Sequence, residues 1–183
     1  NVYSLPREGW YCVDLYTGET EYFHNTTGPV TGVKGVFDFS GELAVGRLSF
    51  GQIYNYDSPN QHGGFPYLWS TAGNAPNTWM MFDAYSGSYI CSIENVPSWV
   101  SSGLPGPPGR GTAVYGKDGS LLQYILDTTD DRLMVWNTSR AIWYEETWGA
   151  NEYWMWRPTL NETFNGANGY SLNVSISEVK GSI

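Results

Sequence analysis

The sequence is poor in basic residues and has no long apolar run, and both shortages narrow the range of functions. Lys and Arg together number 9 against 18 Asp and Glu, which gives a net charge of −9. A surface of that sign repels phosphate backbones, and no basic cluster offsets it, so we predict that the chain does not bind nucleic acid. Because no run of about eighteen apolar residues occurs, we also predict no membrane-spanning segment.

Histidine is scarce as well, and the two that occur do not stand in a catalytic pattern. His24 follows a predicted strand, and His62 lies with Asp57 in a glycine-rich segment. Neither histidine belongs to a nucleophile-elbow motif or stands at the spacing of zinc ligands. We therefore interpret the segment around Asp57 and His62 as a polar loop that packs on itself.

The cysteines and the glycosylation tripeptides bear on the compartment. Four Asn-x-Ser/Thr tripeptides favour a secreted or cell-surface protein that carries N-linked glycans. They begin at Asn25, Asn137, Asn161 and Asn173. A disulfide between Cys12 and Cys91 is permitted there, but their spacing does not establish the required approach of the two Cα atoms. We favour two buried free thiols, and the bridge stays open.

Aromatic residues, glycine and proline are abundant, and together they predict strands joined by turns. The chain has 9 Trp, 14 Tyr, 22 Gly and 10 Pro. Aromatic side chains pack well on pleated surfaces, whereas Gly and Pro supply turn conformations. Convincing helical periodicity is rare along the chain. We therefore predict an all-β protein.

A short internal repeat indicates the architecture. Trp10-Tyr-Cys-Val-Asp14 followed by Leu-Tyr-Thr-Gly recurs as Trp79-Met-Met-Phe-Asp83 followed by Ala-Tyr-Ser-Gly. A third, degraded copy runs from Leu133 to Ser139 without the Asp and the Gly. Each copy predicts a strand, a tight turn and a second strand, which form one hairpin of a sheet that must stack on others to bury its faces.

The repeats and the breaker-rich segments divide the chain into units. Two short strands, 42–49 and 52–56, are predicted on either side of a turn at Phe50-Gly51, and a clean hairpin is predicted around Lys117-Asp118-Gly119. Because the first and last units look incomplete, we expect a piece of a larger repeat protein. The predicted units are 1–29, the end of a preceding blade; 30–96, a blade with a long loop at 57–78; 97–177, a blade with an insertion at 140–168; and 178–183, the start of the next blade.

The repeated hairpin resembles the quinoprotein-like (PQQ-like) propeller repeat. That family carries an Ala/Val-Asp-Ala-x-Thr-Gly-Glu turn, which is matched here by Val13–Glu19 and by Phe82–Gly87. The resemblance implies a partial β-propeller of four-stranded antiparallel blades. The segment Asn55–His62, the long loops and the tripeptides also resemble the large cell-surface propellers of archaea. The best-known enzymes of this type stack a quinone on a Trp, hold a Ca²⁺ ion beside it and often cap the quinone with adjacent cysteines, which this sequence lacks, so no cofactor is predicted.

One acidic cluster has the composition of a cation site. Asp127-Thr-Thr-Asp130-Asp131 offers hard oxygen ligands of the kind that Ca²⁺ takes. Its spacing does not match an EF-hand loop, and Asp-rich hairpin turns are common. We interpret it as a plain turn.

An aromatic and acidic segment at 143–157 is the main candidate for a ligand surface. The residues concerned are Trp143, Trp148, Trp154, Trp156, Glu145 and Glu152. Flat rings beside carboxylates are typical of carbohydrate binding, where C–H faces stack on rings and hydroxyls need fixed partners. Packing between neighbouring sheets is the competing interpretation of the same tryptophans, and we prefer it.

The function expected from the sequence is binding rather than chemistry. We expect an extracellular, non-enzymatic interaction or scaffold module whose long loops at 57–78, 96–111 and 143–168 contact a protein or a carbohydrate, or which assembles with itself. The alternative is a carbohydrate-binding or carbohydrate-active protein that uses the segment Trp143–Trp156. A fragment of a quinone-dependent dehydrogenase is a third, less favoured interpretation.

Overall fold

The computed structural model describes residues 2–5, 9–25, 45–58, 61–72, 77–97, 113–127, 130–142 and 158–177. Strands make up most of these residues. They are β1 (Val2–Leu5), β2 (Gly9–Val13), β3 (Thr20–Asn25), β4 (Val45–Ser58), β5 (Gln61–Ala72), β6 (Trp79–Asp83), β7 (Tyr89–Glu94), β8 (Ala113–Tyr115), β9 (Leu121–Asp127), β10 (Arg132–Asn137), β11 (Glu162–Asn165) and β12 (Tyr170–Ser175). A five-residue helix α1 (Thr138–Ile142) and a 3₁₀ turn (Gly166–Gly169) complete the described elements.

The strands form three sheets, none of which closes on itself. The first sheet has the order β1-β2-β3, the second β11-β7-β6-β5-β4 and the third β12-β10-β9-β8. Every pairing is antiparallel except that of β11 with β7, which is parallel. The prediction of an all-β protein is confirmed at this level.

The two hairpins that carry the clear copies of the repeat have the same register. Trp10 is opposite His24 in the first, and Trp79 is opposite Ile93 in the second. Each register shifts by one residue at the corresponding place, after Cys12 in the first hairpin and after Met81 in the second. A bulge at the same position bends and twists both hairpins in the same way, so the repeat extends from sequence to backbone geometry.

The prediction of a loop at 57–78 is wrong over most of that range, because β5 occupies residues 61–72 and pairs with β4 in one long hairpin. Pro66 is compatible with this strand, since the pairing of β5 with β6 begins only at Tyr67, and on that side Pro66 acts only as an acceptor, its carbonyl receiving the amide of Ala84 at 3.1 Å. The predicted turn at Phe50-Gly51 is wrong as well. β4 continues through both residues, and the pairing of β4 with β5 has two register shifts before Phe50 instead of a turn.

The third sheet follows the sequence more closely. β8 and β9 form the predicted hairpin, with Gly119 at a positive φ of 78° in its turn. β10 and β12 occupy the strands predicted at 132–136 and 170–177. The predicted insertion at 140–168 contains β11, which adds a fifth strand to the second sheet instead of looping out.

The sheets pack face to face in chain order around two buried clusters. The smaller cluster joins Trp10 of the first sheet to Leu68, Met80 and Phe82 of the second. The larger one lies between the second and third sheets. Its largest fully buried members are Trp69, Trp79, Met81, Ile93, Leu121, Trp136, Ile142 and Phe164. The second sheet is therefore covered on both faces, with alternate residues of β6 pointing to opposite neighbours.

Candidate interaction surfaces

The turn of the repeat has the same hydrogen bonds in both clear copies. Asp14 Oδ1 accepts hydrogen bonds from the backbone amides two and three residues later, at 2.7 and 2.9 Å. Asp83 Oδ1 accepts from the corresponding amides at 2.9 and 2.8 Å. Gly18 and Gly87 follow with positive φ values of 76° and 69°, which glycine adopts without a steric penalty. The carboxylate and the glycine of the motif are therefore structural residues.

The electrostatics of Asp14 agree with that role. The hydrogen bonds from the backbone amides of Thr17 and Tyr16 stabilise the carboxylate and lower the pKa of Asp14. The group is consequently ionised at neutral pH and keeps its acceptor oxygens for the turn.

The third copy retains half of this turn. Asn137 Oδ1 accepts hydrogen bonds from the amides two and three residues later, at 2.7 and 3.2 Å. Where the other copies have glycine the third has Ala141, which is buried, and the chain continues into α1 instead of a hairpin. The third copy is thus a genuine member of the repeat, in which an amide replaces the carboxylate and alanine removes the positive-φ position.

Neighbouring copies contact each other through the same two positions. We number the positions of the repeated strand from one to five, so that the copies are Trp10–Asp14, Trp79–Asp83 and Leu133–Asn137. The ring at the first position of the first copy, Trp10, meets the ring at the fourth position of the second copy, Phe82, with centroids 5.3 Å apart and planes at 80°.

The second and third copies repeat that contact. Trp79, at the first position, meets Trp136, at the fourth position of the next copy, with centroids 5.6 Å apart and planes at 79°. Both are edge-to-face pairs with nearly identical geometry. Each sheet therefore presents its first position to the next sheet, and receives the previous sheet at its fourth position, so the stack has a direction.

A second contact fixes the first sheet on the second. Tyr22 donates its hydroxyl to the carbonyl of Ala84 at 2.9 Å, and its ring lies directly over Gly87. A Cβ atom at Gly87 would lie 2.5 Å from that ring. Burial raises the pKa of Tyr22, so its hydroxyl stays protonated and remains a donor.

The third sheet has an outer face that carries the first position of its repeat copy. In the first two copies the face that carries this position is buried against the next sheet. Met134 and Trp136 point into the larger cluster, so Leu133 and Val135 point away from the second sheet. Leu133 is opposite Leu126 and Val174, and Val135 is opposite Leu172. We call this the end face. Val135 is also opposite Tyr124, so the end face consists of Tyr124, Leu126, Leu133, Val135, Leu172 and Val174.

The end face is apolar and partly open to solvent. Tyr124, Leu172 and Val174 are 46%, 38% and 40% exposed, whereas Val135 on the same face is 8% exposed and therefore buried. None of its six residues belongs to either buried cluster that the described residues form. An accessible apolar sheet face of this kind is typical of an interaction surface.

The first sheet has an outer face as well, which we call the start face and which consists of Tyr11, Val13 and Phe23. Tyr11 and Phe23 are cross-strand partners on the side opposite Trp10, and Phe23 is 53% exposed. Val13 stands at the fourth position of the repeat, the position at which the second and third copies receive the preceding sheet.

One groove has the size of a small-molecule site. It lies beside the contact of the second and third sheets, has a volume of about 510 Å³ and is lined mainly by apolar atoms. Its buried amide, that of Gln52, is already used at both ends. The Oε1 atom accepts from Trp69 Nε1 at 2.8 Å, and the Nε2 atom donates to the carbonyl of Gly119 at 2.9 Å. The groove therefore has the shape of a small-molecule site, but its main polar side chain is already hydrogen-bonded within the fold.

The glycosylation tripeptides lie in different environments. Asn161 is exposed in a turn with a φ of 61°, and Asn25 is the last residue of β3. Asn173 is exposed on β12, where its Oδ1 accepts from Arg132 Nε at 2.6 Å. Asn137 is half-buried and caps α1. Asn161 and Asn173 are thus the exposed ones of the three whose side chains are described.

The structure describes the other candidate site residues from the sequence less fully. The aromatic and acidic segment that contains Trp143, Trp148, Trp154, Trp156, Glu145 and Glu152 lies outside the described residues. His62 is directly opposite Asp57 near the tip of the β4–β5 hairpin, so the two lie in strands rather than in the predicted loop. In the acidic cluster, Asp127 Oδ1 accepts from the amide of Asp130 at 3.2 Å, which is a turn contact.

Searches against protein-family models, curated proteins and solved structures found no match to this chain. The resemblance to PQQ-like repeats therefore rests on the repeated hairpin. Within the part of the chain that the structure describes, no helix is long and apolar enough to cross a membrane. The same residues contain no group of three or more His, Cys, Asp or Glu side chains placed to hold a metal ion.

The two cysteines are free thiols in different surroundings. Cys12 is half-buried, whereas Cys91 is fully buried, with its Sγ 3.6 Å from Met81 Sδ, and burial raises the pKa of its thiol. We expect iodoacetamide at pH 8 to leave Cys91 unmodified in the native protein, because the thiolate is both disfavoured and inaccessible. When the protein is alkylated after denaturation without reductant, mass spectrometry should find two alkylated thiols. A chain that carries no alkyl group and is two hydrogen atoms lighter than the reduced chain would instead reveal a disulfide.

Proposed function

We propose that the three sheets are consecutive blades of a PQQ-like propeller segment, and that the chain is an extracellular, non-enzymatic interaction or scaffold module. The observation that carries the proposal is the repeated contact between the first position of one copy and the fourth position of the next. Two successive contacts of the same kind and direction are what consecutive blades of a propeller require.

The use of the polar residues supports a binding role rather than a chemical one. The polar side chain at the fifth position of the repeat recurs in all three copies, and in each its oxygen accepts backbone amides of the following turn. The recurring polarity is therefore used to shape the hairpins. What remains for partners is the two outer sheet faces and the surface loops.

An extracellular location is supported by the tripeptides. Asn161 stands on an exposed turn, and Asn173 is exposed on the edge strand of the third sheet. Because Asn173 is opposite Met134, it lies on the side of the third sheet that faces the second, so Asn161 is the tripeptide at which a glycan fits the stack best.

The experiment that tests this function is the mass of the native protein, measured by light scattering and by mass spectrometry before and after treatment with an N-glycosidase. We expect a glycosylated particle heavier than the 20.4 kDa of this chain, because uncovered propeller sheets need further sheets or a partner. A native particle that is an unglycosylated monomer of 20.4 kDa would contradict both the extracellular location and the scaffold role.

A further inference from the structure

A small cavity lies on the second sheet, beside the turn of its repeat copy. Its volume is about 220 Å³. Two of its lining residues, Tyr67 and Ile90, are buried, whereas Ser86, Ser88 and Leu160 are exposed, so the cavity opens to solvent. Most small-molecule sites have roughly 300–1,000 Å³, so this cavity has room for a single side chain rather than for a larger ligand.

The strand pairing explains why aromatic rings and a carboxylate meet at this cavity. Tyr67 of β5 is directly opposite Asp83 of β6, so the two side chains lie on the same face of the sheet. Phe65, two residues before Tyr67 in β5, lies on that face as well. Leu160 adds an aliphatic side chain to the lining. The cavity therefore combines one carboxylate with two rings and an aliphatic wall.

Asp83 uses only one of its carboxylate oxygens in the turn. Its Oδ1 accepts hydrogen bonds from the amides of Tyr85 and Ser86 and from the Ser86 hydroxyl, at 2.9, 2.8 and 3.1 Å. Among the described residues, none donates to Asp83 Oδ2 and none forms an ion pair with this carboxylate. A carboxylate beside aromatic ring faces, which carry partial negative charge, attracts a cation.

We infer that this cavity binds the side chain of a lysine from a protein partner. The inference rests on the proposed function as an interaction module and specifies the chemistry of its partner. An ammonium group has three donors and no acceptor, which suits Asp83 Oδ2 and the hydroxyl oxygen of Ser88. The four-carbon stem of the lysine packs against Phe65 and Leu160. The net charge of −9 favours the approach of a basic partner.

A lysine fits these groups better than an arginine or a sugar does. The guanidinium group of arginine pairs best with both oxygens of a carboxylate, and Asp83 Oδ1 is already engaged in the turn. Sugar hydroxyls need donors as well as acceptors, but the Ser86 hydroxyl already donates its hydrogen to Asp83. An ammonium group needs acceptors alone.

The repeat supplies variants that separate the charge of Asp83 from its role in the turn. Asn137, at the same position of the third copy, accepts the amides two and three residues later, so Asp83→Asn should keep the turn and lose the charge. Asp14 is the corresponding carboxylate of the first copy. Because β1 pairs with β2 only as far as Cys12, no described residue of β1 is opposite Asp14. Asp14→Asn is therefore the matched control.

The test is an NMR titration of the 183-residue chain, produced without glycans because Asn161 is adjacent to Leu160. The probes are Nα-acetyl-lysine methylamide and its Nε-acetylated derivative, which keeps the stem and lacks the charge. We expect the lysine probe to bind in the millimolar range and to shift the methyl signals of Ile90 and Leu160. Acetylation of the probe or Asp83→Asn should weaken this binding about tenfold, whereas Asp14→Asn should leave it unchanged. The spectrum of each variant also shows whether its fold is retained.

Four results would overturn the inference. They are a lysine probe that gives no saturable shifts at the cavity, equal binding of the acetylated probe, equal weakening by Asp14→Asn and Asp83→Asn, and tighter binding of Nα-acetyl-arginine methylamide or of glucose at the same signals. If the native particle is heavy and glycosylated while the lysine probe does not bind, the proposed function stands and the lysine pocket fails. If the probe binds while the native particle is an unglycosylated monomer, the pocket stands and the proposed function fails.

Discussion

Replacement of Trp79 by alanine is expected to lower the free energy of unfolding by about 3–5 kcal/mol, the usual cost of deleting a large buried aromatic side chain. Trp79 is 1% exposed and lies at the centre of the larger cluster. Its ring centroid is 5.2 Å from that of Phe50, 5.9 Å from that of Trp69 and 5.6 Å from that of Trp136. The substitution therefore removes packing within the second sheet and between the second and third sheets at once.

A loss of that size is a large part of the stability of a domain, which is commonly about 5–15 kcal/mol. Equilibrium unfolding in urea, followed by near-ultraviolet circular dichroism, measures it. Tyr85→Ala is the matched control, because Tyr85 is 79% exposed in the turn of the same hairpin and should change the stability by no more than about 0.5 kcal/mol. Equal effects of the two substitutions would mean that the second and third sheets do not pack around Trp79.

The repeat could be predicted from the sequence because its signal is local. An Asp four residues before a Gly fixes a turn through contacts within six residues. The hairpins at Asp14 and Asp83 can therefore both be predicted from the sequence alone. The same local logic predicted the β8–β9 hairpin around Gly119. The third copy was harder to recognise, because Asn137 keeps the hydrogen bonds of the aspartate while Ala141 removes the glycine.

The long β4–β5 hairpin could not be predicted from the sequence, because the local residue types there favour a loop whereas the tertiary structure requires a strand. Gly63, Gly64 and Pro66 predict a loop, but the strand partner of this segment is β4, and the consecutive buried residues Tyr67 to Ser70 pack on both faces of the sheet. β11 was missed for a different reason. Its partner β7 lies far away in the chain, and a four-residue parallel strand has no periodicity that a sequence can display.

The directional contact between the sheets could not be predicted from the sequence either. The aromatic residues of the repeat are visible, but which face of a strand meets which neighbouring sheet depends on the stacking order. Trp10 and Trp79 both stand at the first position, and the structure alone shows that each points to the following sheet. The candidate sheet faces follow from that direction, whereas most of the loops predicted at 96–111 and 143–168 to contact a partner lie outside the described residues.

The second large effect is expected from Gly87→Ala, which should lower the free energy of unfolding by about 2–5 kcal/mol. About 1–2 kcal/mol of this arises from a Cβ atom at the positive φ of 69°. A further loss of about 1–3 kcal/mol arises because the new Cβ would lie 2.5 Å from the Tyr22 ring. That ring cannot swing away freely, since the Tyr22 hydroxyl donates to the carbonyl of Ala84.

The repeat supplies the control for this prediction. Gly18 stands at the same place in the first copy, with a φ of 76° and no atom within 4 Å of the point that a Cβ would occupy, so Gly18→Ala should show only the cost of the backbone conformation. The difference between the two variants in thermal or urea unfolding measures the contact of the first sheet with the second. In a Tyr22→Ala background the clash is absent, and Gly87→Ala should then cost no more than Gly18→Ala. Equal losses from the two glycine substitutions in the wild-type background would instead mean that the first sheet does not rest on the turn at Gly87. The stack would then lack one of the two contacts that hold its first pair of sheets together.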